Sequence, residues 1–129
     1  MKILLVYGNT YEFLSPPPVG ISLLTKPLQN AGHKVHVLDF MKVKDTDALL
    51  MSALKEHKPD IIGMSALLTT TMPKMEETII ALKEAGLRDQ VKIMAGGAPV
   101  TQDFVDKIGA DAYGANAAAA SDKAKALLA

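Results

Sequence analysis

The sequence predicts a doubly wound α/β domain, a five-stranded parallel sheet in the order 2-1-3-4-5 with helices on both faces. Three observations lead there. Short, nearly uninterrupted apolar runs alternate with longer stretches of helical period. The runs lack the polar alternation of a half-exposed strand, so burial on both faces, as in a parallel sheet, is expected. Glycines also follow three of the helical stretches, where a left-handed residue ends a helix at little cost.

Taken in order, the first strand is read at Ile3–Tyr7. The first helix follows from Val19, Leu23, Leu24, Leu28 and Ala31, which share one face. Pro27 falls inside it and is expected to kink it or weaken a turn. After Gly32, Lys34–Leu38 reads as the second strand, and Leu49, Leu50, Ala53 and Leu54 mark the second helix. Asp60–Met64 is the third strand. Met72, Met75, Ile79 and Leu82 mark the third helix, with Pro73 suited to its first turn and Thr70 or Thr71 to its cap. Beyond Gly86, Val91–Met94 is the fourth strand, and Val100, Phe104 and Ile108 mark the fourth helix. Gly109 closes that helix, Ala112-Tyr113 is the weakest strand, and Ala120, Ala124, Leu127 and Leu128 mark the last helix. The run Ala117–Ala120 reads only as a strong helix former. With no linker and no internal repeat, residues 1–129 are expected to form one domain.

Composition narrows the functions. The 14 Lys+Arg cancel the 14 Asp+Glu, so no net positive field exists to hold a polyanion, and nucleic acid is not an expected partner. The absence of Cys removes disulfides, thiolate nucleophiles and iron–sulfur ligation together. The apolar start, Met1–Tyr7, is too short for a signal-peptide core or a membrane span, so a cytoplasmic location is expected. The first strand begins almost at once, as expected of an excised or minimal domain. His33, His36 and His57 lack ligand spacing, so no metal site is expected from them.

In such a sheet, ligands bind beyond the carboxyl ends of the strands near the reversal of strand order, among the loops after strands 1, 3 and 4. The first of these, Gly8 to Pro18, is long and ends in three prolines that stiffen the chain and remove amide donors. It can equally be a rigid arm leading into the first helix. After strand 3, Ser65-Ala66-Leu67-Leu68-Thr69-Thr70-Thr71 offers hydroxyls to a polar ligand edge, although helix capping is their commoner use. After strand 4, Gly96-Gly97-Ala98-Pro99 bares backbone to a flat ligand or to another chain segment, where a tight turn is the plainer explanation.

The segments "MSALLTTTM", "LKEAGLRDQVKIMAGGAPVTQDFVDKIGADAY" and "AGHKVHVLD" resemble the cobalamin-binding domain of corrinoid-dependent methyl transfer. The resemblance is nearly continuous from Pro59 to Ala129 and is nearest to the small corrinoid proteins of methylamine and methanol methyltransferases and to the cobalamin module of methionine synthase. It implies a flavodoxin-like fold and a slot for the nucleotide tail of cobalamin. That slot would be lined by Ser65, Leu67, Thr69, Gly96 and Gly97, and more weakly by Tyr113 and Gly114.

The front half departs from that group, whose Asp-x-His-x-x-Gly motif after strand 1 supplies the lower ligand of cobalt. Counting back from Ala31-Gly32 places the motif's Gly on Gly20, its His on Pro17 and its Asp on Ser15. Proline has no side-chain nitrogen to offer, so the cobalt-ligating part of the motif is gone. The stretch "KILLVYGNTYEFLSPPPVGISLLTKPLQNAGHKVHVLDF" is instead similar to the N-terminal cobalamin domains of radical-SAM enzymes, which often show a Pro-rich loop here and lack the histidine. The resemblance thus implies a cofactor module, base-off and His-off, serving a methyltransferase or radical-SAM partner, with no catalytic residues of its own.

Two other readings share the fold. Tyr7-Gly8-Asn9-Thr10 has some likeness to the phosphate loop of an FMN-binding electron carrier, but the loop runs into Pro16-Pro17-Pro18, and the chain has no Trp to stack on a flavin. A degenerate, empty cobalamin site is the other. A phosphoacceptor domain is rejected, because no acidic pair follows strand 1 and Met64-Ser65 stand where an Asp would end strand 3.

Overall fold

The computed structural model describes residues 2–7, 19–39, 46–66, 69 and 72–128. Its elements run β1 (Lys2–Tyr7), α1 (Val19–Asn30), β2 (Lys34–Asp39), α2 (Thr46–His57), β3 (Ile61–Ser65), α3 (Met72–Glu84), β4 (Lys92–Gly96), α4 (Gln102–Ile108), β5 (Ala112–Gly114) and α5 (Ala117–Leu127), with a 3-10 turn at Arg88–Gln90. The sheet is parallel throughout and ordered β2-β1-β3-β4-β5, as the alternation of strand and helix predicts. Residues 8–18, which include Ser15 and Pro17, lie outside the described residues, as do Leu67, Thr70 and Thr71.

Register separates the two faces of the sheet, because laterally paired residues of parallel strands project the same way. Leu4, Ile62 and Ile93 face one side, where Leu50 and Leu54 of α2, Ile79 and Leu82 of α3, and Val105 and Ile108 of α4 complete the main core. Leu4, Leu50, Ile62, Ile79, Leu82, Ile93 and Val105 have no exposed surface. On the opposite face Ile61 and Met94 meet Ala124 of α5, with Ala112, Ala120 and Leu127 around them, and Ile3 and Leu5 are buried on the same side. Right-handed crossovers place α1 on this second face as well.

Local chemistry sets the element ends. Gly32, Gly86 and Gly109 have φ of 86°, 72° and 80°, the left-handed conformation expected after α1, α3 and α4. Thr101 caps α4 by accepting the Phe104 amide at 3.3 Å, and Asn116 caps α5 by accepting the Ala119 amide at 2.8 Å. Helix α1 runs through Pro27, which is exposed, and the Pro27 carbonyl still accepts the Ala31 amide at 3.0 Å. Leu128 follows α5 and is 40% exposed rather than part of the core face. No helix among the described residues is long and apolar enough to cross a membrane.

Candidate functional site

Strands β3 and β4 each end later than periodicity suggests, and this moves the site from loops onto the sheet. Ser65 and Gly96 are not loop residues: they are the last residues of β3 and β4 and pair with each other. Gly96 pairs in turn with Gly114 at the end of β5, and Gly63 stands two residues before Ser65 on the same face. Gly63, Ser65, Gly96 and Gly114 therefore form a row of minimal side chains across three strands, at the carboxyl end of the sheet and on the α5 side.

The row is partly exposed, although the Cβ positions of Gly63, Gly96 and Gly114 are filled by Leu5, the Gly114 carbonyl and Ala120. Along β3, Ile62 and Met64 on the main-core side are buried, whereas Gly63 and Ser65 between them are partly exposed. Along β4, Ile93, Met94 and Ala95 are all buried, Met94 on the same face as Gly96, while Gly96 at the strand end is partly exposed. A central strand is ordinarily covered on both faces; among the described residues, the second face is partly exposed at Gly63, Ser65 and Gly96, while Met94 beside Gly63 is buried. This row, or trough, is formed by glycine backbone and the Ser65 side chain.

Each glycine of the site contributes differently. A Cβ on Gly63 would stand 2.9 Å from the Cδ2 end of Leu5 and 4.0 Å from the Leu4 carbonyl oxygen. A Cβ on Gly96 would stand 2.6 Å from the Gly114 carbonyl oxygen, so β4 and β5 approach closely only because Gly96 has none. A Cβ on Gly114 would meet the Ala120 Cβ at 3.0 Å, and this gives the alanine run a further use, since a small residue there lets α5 sit close over β5.

Gly97 has φ of 122°, and a Cβ there would run into the backbone of Ala66. The Ala66 amide donates to the Gly96 carbonyl at 3.1 Å, and the Val100 amide donates to the Gly97 carbonyl at 3.1 Å. The side-chain space at Gly97 is thus filled by the segment after β3. Gly97 joins the ends of β3 and β4 and begins the turn into α4.

The remaining expected residues are spread around this row. Thr69 is exposed in a short turn beyond β3. Gly20 lies in the first turn of α1. Tyr113 packs against the main core, on the opposite face from Gly96 and Gly114, and the Lys123 ammonium stands 5.7 Å from its ring centroid. Ala120 reads from the sequence only as a helix residue, and Gly63 has one local signal, a glycine inside an apolar strand, which marks close approach.

The histidines are remote from the trough. The His36 and His57 rings stack at 3.7 Å between centroids. His36 pairs with Leu4 and so projects to the main-core side, opposite the row of glycines. His57 ends α2, next to Lys58 and the start of β3. Among the described residues, no group of three or more His, Asp or Glu could hold a metal ion.

A family model described as the B12 binding domain matches residues 6–121. Dimethylamine corrinoid protein 3 of Methanosarcina mazei is 48% identical over 112 residues, covering 86% of this chain and 65% of that protein. A cobalamin-binding protein from Desulfitobacterium hafniense DCB-2 superposes with a TM-score of 0.82 at 29% identity, over 96% of this chain and 57% of that one. The methanol:cobalamin methyltransferase complex MtaBC of Methanosarcina barkeri matches with a TM-score of 0.78 at 26% identity, over 98% of this chain and 45% of the matched one. At the level of fold alone, the radical S-adenosylmethionine methyltransferase TsrM of Kitasatospora setae matches with a TM-score of 0.66 at 24% identity, over 84% of this chain and 22% of that one. The chain spans less than two thirds of the length of each.

Proposed function

The chain belongs to the B12-binding domain family, and on that premise we propose that it is a corrinoid carrier that draws the cofactor's nucleotide tail into the trough over Gly63, Ser65, Gly96 and Gly114. The observation that carries this reading is the partly exposed row of small residues on the second face, at the ends of β3, β4 and β5. The main-core side of β3 and β4 is buried, while this row lies at the carboxyl end of the sheet. These residues fit an elongated ligand edge, because glycine Hα and backbone atoms admit closer approach than any side chain would. The Ser65 hydroxyl is the polar group available to orient that edge.

When bound, the corrinoid supplies cobalt-centred methyl-transfer chemistry, and the domain supplies position. The domain's residues hold the tail and exclude water from it, and delivery and removal of a methyl group belong to a separate methyltransferase or radical-SAM protein. Pro17 at the lower-ligand position, with His33, His36 and His57 elsewhere in the chain, supports a base-off, His-off state.

The test is to mix the chain with hydroxocobalamin at micromolar concentrations of both, remove free ligand by gel filtration and record the absorption spectrum. About one corrinoid per chain should be retained, with a spectrum at neutral pH like that of free cobalamin in acid. Complete elution of cobalamin as free ligand would overturn the carrier reading, and retention of FMN in its place would favour an electron carrier. A base-on or imidazole-ligated spectrum would overturn the His-off state alone.

A further inference from the structure

Strand β5 has three residues, lies at the edge of the sheet and pairs only with β4. So short a strand specifies its own register weakly, yet its register decides what faces the trough. A slip by one residue turns every side chain to the other face. Gly114 would then leave the row, and Tyr113 would bring a phenol ring into it.

A polar clamp lies just ahead of this strand. The Asp111 amide donates to the Ile93 carbonyl at 2.8 Å, and the Asp111 carboxylate accepts the Ile93 amide at 2.7 Å. One residue thus engages both backbone groups of a single partner on β4. Arg88, in the turn between α3 and β4, donates to the same carboxylate oxygen at 3.0 Å and to the Gly109 carbonyl at 2.8 Å. It also donates to the Val91 carbonyl at 3.2 Å. The guanidinium therefore ties the start of β4 to the segment that feeds β5, with the Arg88 side chain only 15% and Asp111 25% exposed. Charge-assisted bonds of this kind are stronger and more directional than neutral ones.

We propose that Arg88 and Asp111 are positioning residues for the cofactor tail: their clamp sets the β5 register so that Gly114, and not Tyr113, stands beside Gly96. This rests on the tail occupying the trough. Neither residue touches the row itself; each acts through the strand it holds.

The chain has no Cys, so register can be read directly by thiol pairing. Ala112→Cys is combined in turn with Ile93→Cys, Met94→Cys or Ala95→Cys, and disulfide formation under mild oxidation is compared. Adjacent strands bring paired Cα atoms within bridging range. In the parent, the 94/112 pair should form fastest, since Met94 and Ala112 are partners. With Asp111→Ala or Arg88→Ala, pairing should move to 93/112 or 95/112. In the same variants without added thiols, cobalamin should weaken at least about fivefold more than cobinamide, which lacks the nucleotide tail, as expected when a packed space is overfilled. Asp111→Asn, which keeps an acceptor for the Ile93 amide, should recover most of that ratio and provides a folded variant if Asp111→Ala does not fold. Unchanged 94/112 pairing, or equal losses of cobalamin and cobinamide, would overturn the positioning role. A parent chain that binds neither corrinoid would overturn the carrier reading, while the thiol pairs would still decide whether the clamp sets the register.

Discussion

The Gly114 carbonyl occupies the place of the Gly96 side chain: the two residues are register partners, and a Cβ on Gly96 would lie 2.6 Å from that oxygen. Two backbones thus meet where most strands interpose side chains, and the floor of the trough is built from that contact. Gly96→Ala must push β5 away from β4, a backbone shift that costs about 1–3 kcal/mol. Apo-protein stability should fall by that amount in urea denaturation, and cobalamin affinity should fall with it. An unchanged denaturation midpoint would show that β5 moves aside freely.

Gly97 is expected to behave differently from a ligand-facing glycine. At φ of 122°, with the Ala66 backbone filling its side-chain space, any L-residue is both strained and obstructed. Gly97→Ala should cost about 2–5 kcal/mol of folding stability, and valine more. Cobalamin and cobinamide should then be lost in parallel, since the damage is to the joint between β3 and β4. A Gly97→Ala protein that melts normally but discriminates between the two ligands would place Gly97 on the trough floor after all.

Gly63 gives the converse test. A Cβ there would crowd the Cδ2 end of the Leu5 side chain rather than backbone, so alanine is accommodated by rotation of that side chain. Alanine also removes the backbone-entropy cost of a strand glycine, roughly 0.5–1 kcal/mol. Gly63→Ala should leave the apo melting temperature near that of the parent, or slightly above it. Cobalamin should bind about tenfold more weakly, with cobinamide little changed, because the added methyl stands in the tail's path. Titration of both corrinoids against this one variant separates occupancy of the trough from general binding at the carboxyl edge.

Histidine substitution should leave the cobalt environment untouched. His36 and His57 stack on each other and His36 faces the main-core side, so neither reaches the row of glycines. His36→Ala, His57→Ala and His33→Ala should each give the parent's absorption spectrum when loaded with hydroxocobalamin. A spectral change in any of them would identify an imidazole at cobalt and reverse the His-off assignment.

The doubly wound fold was legible in the sequence because period and composition report local burial. Apolar runs of strand length, helical stripes such as Met75, Ile79 and Leu82, and glycines after α1, α3 and α4 each state their conformation within a few residues. The family likeness was legible for the same reason, since Ser65, Gly96 and Gly97 stand in short contiguous motifs.

The boundaries and the faces were not. Ser and Gly favour turns locally, so Ser65 and Gly96 read as loop residues, and only ladder pairing with each other makes them strand ends. Gly63 inside Ile-Ile-Gly-Met-Ser reads as a weak point in an apolar strand, and its lateral neighbours Leu5 and Met94 are known only once β1 and β4 lie on either side. Arg88 and Asp111, 23 residues apart, carry no shared pattern at all. The sequence by itself determined which segments are strands and helices, how they alternate and which family they belong to. Tertiary structure alone decided what fills the side-chain position of each glycine of the site: backbone at Gly96 and Gly97, side chains at Gly63 and Gly114. That distinction depends on lateral neighbours brought together by strand pairing, and no local propensity encodes it.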